Sequence, residues 1–564
     1  MSIPGELENA RRLAFADDEM RARDLLLSLV PQIEDEDRDD LMLEVFAQLG
    51  EIYLARGAND GVRESIRRIR DCLAAYSGID DYADADLARM IRRYSRRAQF
   101  LQTGLAAAHG DHEGAQAALA ELSDADGAFP DLTDEHARLI THAQVLCATA
   151  LCDDDLHVRS VPLWERVLGA IDRLDDTEFD DRLLIAAATA YGRFCVETGR
   201  LAEAEPWLRR AGARAQTRGW ELAHARTQLE RAAASWLVGD HATTDQLVSE
   251  AQPVIARYAR ADDHARCWLY LGLTRLGSGE LRAADECWEH AERHWRELGK
   301  PLQLHRILLQ RSWIAIFWSR FAEAVELIAQ ARELLDSSPR SSWLQYARLD
   351  NHLGTVWRAD ALADLGFDSS GDPDETLEET EARQAEGLGI LHGEVGTPEY
   401  WRAMTKLEQA AELKVPAALA VDSVRYSITD ADARSRWASS ISAPILASAF
   451  AVAWEWENTQ LISELVEYHS ARGTFDADLQ RPKIGEWAST ATATVVIDAD
   501  SELALAAAGP PAARAGASLT RLGPLPPLQM QPDSPPIMSH YRALAFERYG
   551  RDVTAAEPAW STWP

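Results

Sequence analysis

Cys267-Trp-Leu-Tyr-Leu-Gly-Leu-Thr-Arg-Leu-Gly-Ser-Gly-Glu-Leu-Arg-Ala-Ala-Asp-Glu-Cys-Trp-Glu-His-Ala-Glu-Arg-His-Trp295 reads as two amphipathic helices joined at Gly277-Ser278-Gly279-Glu280. Trp268, Leu271, Gly272 and Arg275 stand at i, i+3, i+4 and i+7 of the first helix, while Ala284, Trp288 and Ala291 mark one face of the second. A small residue midway along each helix lets two backbones approach closely, and large apolar groups fill the space on either side. Helix pairing is therefore the expected unit of construction.

The same pattern recurs along the chain. Small residues at the expected helix crossing are Gly50, Gly104, Cys152, Gly192, Ala232, Gly272, Ser312 and Gly354, at intervals of 54, 48, 40, 40, 40, 40 and 42 residues. The Trp, Leu-Gly and Ala/Ala spacing of 267–295 resembles the tetratricopeptide unit, with Arg275 at the place where that family carries Tyr. The resemblance implies an all-α, right-handed α-solenoid whose first helices line a concave groove. A period of 40 exceeds the family's usual length of about 34, so each helix is expected to run about a turn longer.

Outward from this block, residues 1–130 read as irregular helical pairs and 131–366 as the solenoid. An acidic linker with a helix follows at 367–397, a further helical segment at 398–473, and a proline-rich tail with a short terminal helix at 474–564. Residues 5–30 read as one helix closed by Pro31, and Val415-Pro416 as the start of another, with proline in its first turn. The last pair is expected at 442–455 and 460–472, a short strand at 492–497, and the terminal helix at Met538–Tyr549. The tail is expected to act as a docking arm or as a strap over its own domain.

Composition narrows the function classes. A formal charge of −33 over 564 residues repels phosphate backbones, so nucleic acid is not the expected partner. Six cysteines without a Cys-x-x-Cys pair suit a reducing compartment. The start of the chain has neither a basic end nor an apolar core, and the most apolar run, 441–456, is short and carries Glu455. A cytoplasmic protein without membrane contact is the expectation.

Catalytic constellations are not found. His-Glu-x-x-His, Gly-x-Ser-x-Gly and the Gly-Lys-Ser/Thr phosphate loop are missing from the sequence. Asp368, Ser370, Asp372 and Glu379 imitate a calcium loop, but Pro373 occupies the place that needs glycine. Gly387, Gly389 and Gly393 follow an acidic helix rather than a strand and read as a turn. The best metal spacing is Cys287, His290 and His294 on one helix, facing His264 and Cys267 on its partner; two packed thiols and wet histidines are the better reading, and no cofactor or metal is expected.

A binding surface is more legible. Arg226, Arg266, Arg306 and Arg348 precede the crossing residue by six in four consecutive units. Trp236, Tyr270, Trp313 and Phe317 lie at neighbouring positions. If these line the groove, they suit an acidic peptide, because guanidinium forks pair with carboxylates and apolar neighbours desolvate the pair. The competing account pairs each arginine with an acid of the next repeat. Arg92, Arg93, Arg96 and Arg97 read as a solvated face.

The segment 400–475 carries Lys414-Val-Pro-Ala-Ala-Leu-Ala-Val-Asp-Ser-Val-Arg-Tyr, Asp432-Ala-Arg-Ser-Arg-Trp-Ala and Ser463-Glu-Leu-Val-Glu-Tyr-His-Ser-Ala-Arg-Gly. It resembles helical regions of actinobacterial proteins that accompany CHAT or caspase-like peptidases in conflict systems. The resemblance implies a non-enzymatic scaffold or regulator whose partner is a separately encoded peptidase. The alternative is a ligand-responsive sensor that takes a short peptide or small molecule in the groove.

Overall fold

The computed structural model describes residues 2–76, 85–124, 129–154, 156–174, 177–339, 341–367, 395–427, 434, 437–471, 524–530 and 534–561. The calcium-like loop, the glycines at 387–393 and the strand expected at 492–497 lie outside them. The described chain is helical: α1 Ile3–Phe15, α2 Glu19–Asp35, α3 Asp39–Ala55, α4 Asn59–Tyr76, α5 Ala85–Ala108, α6 His112–Ser123, α7 Thr133–Asp153 and α8 His157–Ile171. It continues with α9 Glu178–Glu197, α10 Leu201–Arg218, α11 Glu221–Leu237, α12 His241–Arg257, α13 Ala261–Gly277, α14 Leu281–Glu297, α15 Pro301–Phe317, α16 Phe321–Ser337 and α17 Trp343–Asp364. Then come α18 Pro398–Ser423, α19 Ala443–Glu455, α20 Thr459–Ala471 and α21 Ser539–Tyr549.

Consecutive helices pack in pairs, and first helices stack on first helices, as α3, α5, α7 and α9 do. The fold is an all-α solenoid of tetratricopeptide-like pairs. Two compact units divide the described residues: one runs to Trp236 and takes in Thr243–His264, and the other joins Leu237–Ala242 to the described chain from Ala265 onward.

The 40-residue period has a simple origin. Helices α11 to α16 are each 17 residues long, and three-residue turns separate them. The left-handed residue of each turn falls at Gly199, Gly219, Gly239, Ala259, Gly279, Gly299 and Ser319, one every 20 residues. At Gly279 the amide bonds Leu276 O at 2.9 Å and the next amide, Glu280, bonds Arg275 O at 2.9 Å. This is the helix stop that satisfies the last carbonyls, and glycine enters the left-handed region without a Cβ penalty.

Within each pair a small residue admits a large one. A Cβ on Gly272 would come 2.5 Å from Cδ1 of Trp288, and one on Gly192 would come 2.6 Å from Cγ of Leu208. Trp288 is fully buried and donates its indole N–H to Leu269 O at 3.2 Å. Burying such a side chain contributes roughly 1.5–3 kcal/mol, available only because glycine leaves the room.

Two expected helices differ. Residues 5–30 are split into α1 and α2 by Asp17, whose φ of 61° breaks the first helix, and Pro31 lies inside α2. Asp17 is held there by Arg182, 3.0 Å away on α9. Pro416 sits inside α18, which begins at Pro398. Its ring leaves the Glu412 carbonyl without a helical donor, and Arg548 of α21 supplies one at 2.5 Å.

Residues 524–530 and 534–561 lie over the last pairs of the second unit, with a two-residue parallel ladder between Leu528–Gln529 and Trp560–Ser561. Tyr549 donates to Asp350 at 2.7 Å, the Met538 amide to Glu464 at 2.6 Å, and Arg551 stacks on Trp343 at 4.8 Å. The described part of the tail is a strap on its own domain. No helix among the described residues is long and apolar enough to cross a membrane.

Candidate functional site

An inter-repeat ion-pair ladder runs through the first unit. Arg93 of α5 meets Glu135 of α7 at 2.9 Å, Arg138 of α7 meets Asp180 of α9 at 2.7 Å, and Arg226 of α11 meets Asp263 of α13 at 2.7 Å. Each acid stands in the first turn of the receiving helix, where the helix dipole also favours negative charge. Burial works against the charge of Arg226, but Asp263, and beyond it Asp17 and Glu19, outweigh that and raise its pKa. For Arg226, then, the carboxylate of the next repeat is the partner.

The second unit departs from this rule. Arg266, Arg306 and Arg348 are half-buried at the same register position of α13, α15 and α17. The place of Asp263 is taken by Gln303 in α15 and Gln345 in α17, and neither helix has an acidic residue in its first turn. Gln345 instead closes a capping box with Ser342. The three arginines make other contacts within the fold.

The aromatic positions divide. Trp236, Tyr270 and Phe317 are 3%, 8% and 4% exposed and belong to the core. Trp313 is half-buried and meets the His352 ring edge-on at 4.5 Å. First-helix positions up to five residues from the crossing face the partner helix as readily as a groove, and apolar burial decides for the core.

The arginine cluster on α5 is not a solvated face. Arg96 and Arg97 are each 5% exposed. Arg97 bonds both oxygens of Glu44 at 3.0 Å and also pairs with Glu51 at 2.5 Å. Burial opposes the charge of Glu44, yet Arg97, Arg11 and Arg93 together bring its pKa down to about 2. The reason is tertiary: a carboxylate some 50 residues earlier is delivered to this face by the packing of α3 on α5.

Another charged contact was not legible. The α1–α2 turn, Phe15-Ala-Asp-Asp-Glu19, lies on α9 and on the turn before α11. Phe15 meets Phe179 edge-on at 4.9 Å and Trp220 at 6.3 Å. Asp17 pairs with Arg182, Glu19 pairs with Arg260, and the Arg260 guanidinium also reaches Ala55 O at 3.1 Å. An acidic segment with an aromatic residue is thus held by arginines within the chain itself.

The cysteine and histidine set around 267–294 serves packing. Cys267 is fully buried, His290 stacks on Trp268 at 4.6 Å, and His264 bonds Gln252 at 3.0 Å. Burial pushes the Cys287 thiol up to about 11. Among the described residues, the His, Cys and carboxylate side chains that do converge are Cys152, His157 and Glu197. The sequence marked Cys152 only as a crossing residue; the other two come from separate helices.

No family model matches the chain, and no curated protein matches it. Thirteen chains of solved structures do. Among them is a crystal structure of Rap protein complexed with competence and sporulation factor. It is 10% identical with a TM-score of 0.42, and the match covers 77% of this chain and 97% of that one. Likeness at that level bears on neither ligand nor role.

Proposed function

We propose that this protein is a non-enzymatic α-solenoid scaffold that binds a protein or peptide through the first-helix face of its second unit. The partner presents an acidic or carboxylate-bearing segment. The observation that carries this reading is the recurrence of half-buried Arg266, Arg306 and Arg348 on three consecutive first helices, with Gln303 and Gln345 at the places from which an acid would answer Arg266 and Arg306. A guanidinium in partly desolvated surroundings binds a carboxylate with two parallel hydrogen bonds. Trp313 adds an adjacent apolar surface. The chain's own Phe15–Glu19 turn, held by Arg182 and Arg260, is an internal instance of the same chemistry.

The narrower reading is that the partner is a separately encoded caspase-like peptidase of the CHAT type, which this chain senses for or regulates. The resemblance of 400–475 supports it. Affinity capture from the native host tests both levels. A co-purifying acidic-segment partner that is lost about 100-fold in Arg266→Glu/Arg306→Glu, with an unchanged unfolding midpoint, supports the groove. Equal capture by the double variant overturns it, and a captured partner that is not a peptidase overturns the narrower reading alone.

A further inference from the structure

The turn between α7 and α8 and the end of α9 bring three metal-ligating side chains together inside the first unit. Cys152 stands in the last turn of α7, His157 opens α8, and Glu197 is the last residue of α9. One ligand atom from each lies within 4.8 Å of the other two. Cys152 is 5% and His157 2% exposed, and Glu197 is half-buried. We propose that Cys152, His157 and Glu197 form a binding site for a divalent transition metal, with Zn²⁺ as the ion that suits the donor set.

His157 Nδ1 is buried and has no hydrogen-bond partner, while Nε2 contacts Glu197 Oε2 at 2.9 Å. The Cys152 thiol reaches only Ser160 Oγ, at 3.5 Å. A buried thiol, a buried imidazole and a half-buried carboxylate seldom meet in a core held by apolar packing alone. Thiolate, imidazole and carboxylate are each zinc-ligand types, and a water would fill the fourth tetrahedral position.

Distances and charge agree with this. Two ligand atoms on a tetrahedral zinc lie about 3.3 Å apart, so replacing the proton between His157 and Glu197 by the metal widens that contact only slightly. A side-chain rotation of Cys152 completes the approach. Thiolate and carboxylate neutralise the dication. The neighbouring cation, Arg193, holds the other Glu197 oxygen at 2.7 Å and is balanced by Asp153 at 2.8 Å. Arg193 thereby fixes the carboxylate from behind, as outer-shell partners of metal ligands do. The bound ion would tie three helices of the first unit at one point.

Titration of the metal-stripped full-length chain with Co²⁺ tests the proposal. One equivalent bound per chain is expected, with a thiolate-to-cobalt charge-transfer absorption that Zn²⁺ displaces. Cys152→Ser abolishes the absorption, and Glu197→Gln weakens Co²⁺ binding about tenfold or more. Cys287→Ser leaves both unchanged. Should Cys152→Ser not fold, Glu197→Gln, which keeps the side-chain volume, decides alone. Absence of thiolate absorption in the wild type, loss of it in Cys287→Ser, or unchanged affinity in Glu197→Gln overturns the site.

Discussion

Lys414 lies against Gly354 in the last repeat pair, in the place that Trp288 takes against Gly272 and Leu208 against Gly192. A Cβ on Gly354 would come 2.7 Å from Lys414 Cγ. The lysine is fully buried, and its ammonium nitrogen bonds only neutral groups: Thr355 at 2.7 Å, Ser448 at 2.6 Å and Asn351 at 3.4 Å. Burial, and after it the charge of Arg358, push its pKa well below the ordinary lysine value, with Glu455 opposing.

Lys414→Met is therefore expected to remove a pH dependence. A lysine whose folded pKa is depressed takes up a proton on unfolding, so the wild type gains stability as pH rises from that value to about 10.4. The gain is a little over ~1 kcal/mol per pH unit within the window. In Lys414→Met this component vanishes, and the variant's advantage over wild type shrinks as pH rises. Urea unfolding over a series of pH values measures it; parallel pH profiles would refute a neutral buried amine.

Gly272→Ala places a methyl group where Trp288 lies. Overpacking of this kind costs about 1–3 kcal/mol, and here it also displaces the indole from Leu269 O. In the Trp288→Leu background the same change is expected to cost less, because the smaller side chain yields. A double-mutant cycle in denaturant gives the coupling, and additivity would show that the two residues do not contend for one space.

Ala259 and Ser319 hold the left-handed turn positions, at φ of 53° and 54°, that glycine holds in the sister turns. Both are exposed. The left-handed conformation costs a non-glycine residue about 1–2 kcal/mol, and glycine's extra unfolded-state entropy offsets roughly 0.5–1 of that. Ala259→Gly and Ser319→Gly should each raise stability by about 0.5–1 kcal/mol, and Gly279→Ala should lower it by a similar amount. Thermal unfolding read by circular dichroism provides the comparison.

Tyr549→Phe removes the hydroxyl that donates to buried Asp350. The carboxylate keeps its pairing with Arg332, so the expected cost is about 1–2 kcal/mol, typical of a lost bond to a charged acceptor. The strap should become more open to proteolysis around 524–561 while α17 and α18 remain protected. Cleavage at the wild-type rate would mean that this bond does not hold the strap.

Particular residues show how far reading the chain goes. Gly192, Gly272 and Gly354 marked helix crossings from spacing alone, and each proves to lie under a large side chain. The Gly277–Glu280 joint, the pair at 442–472 and the terminal helix near Met538 were legible because turn formers and apolar periodicity are local signals. Asp17 gave no such signal: its left-handed break depends on Arg182, 165 residues away. Pro416 looked like a helix start because a ring inside a helix forfeits a hydrogen bond; Arg548 satisfies the stranded carbonyl from a distant segment. Arg97 looked solvated until Glu44 came to it.

Periodicity, then, was written in the chain: seventeen-residue helices and three-residue turns repeat in register because each depends on contacts within a few residues. What each arginine, lysine and cysteine does was decided by tertiary structure alone. Asp263 pairs with Arg226, Gln303 stands at the corresponding place in α15, Lys414 enters a core position, and Cys152 meets His157 and Glu197. Charge and ligation act through space, at distances that packing sets and that spacing along the chain leaves open.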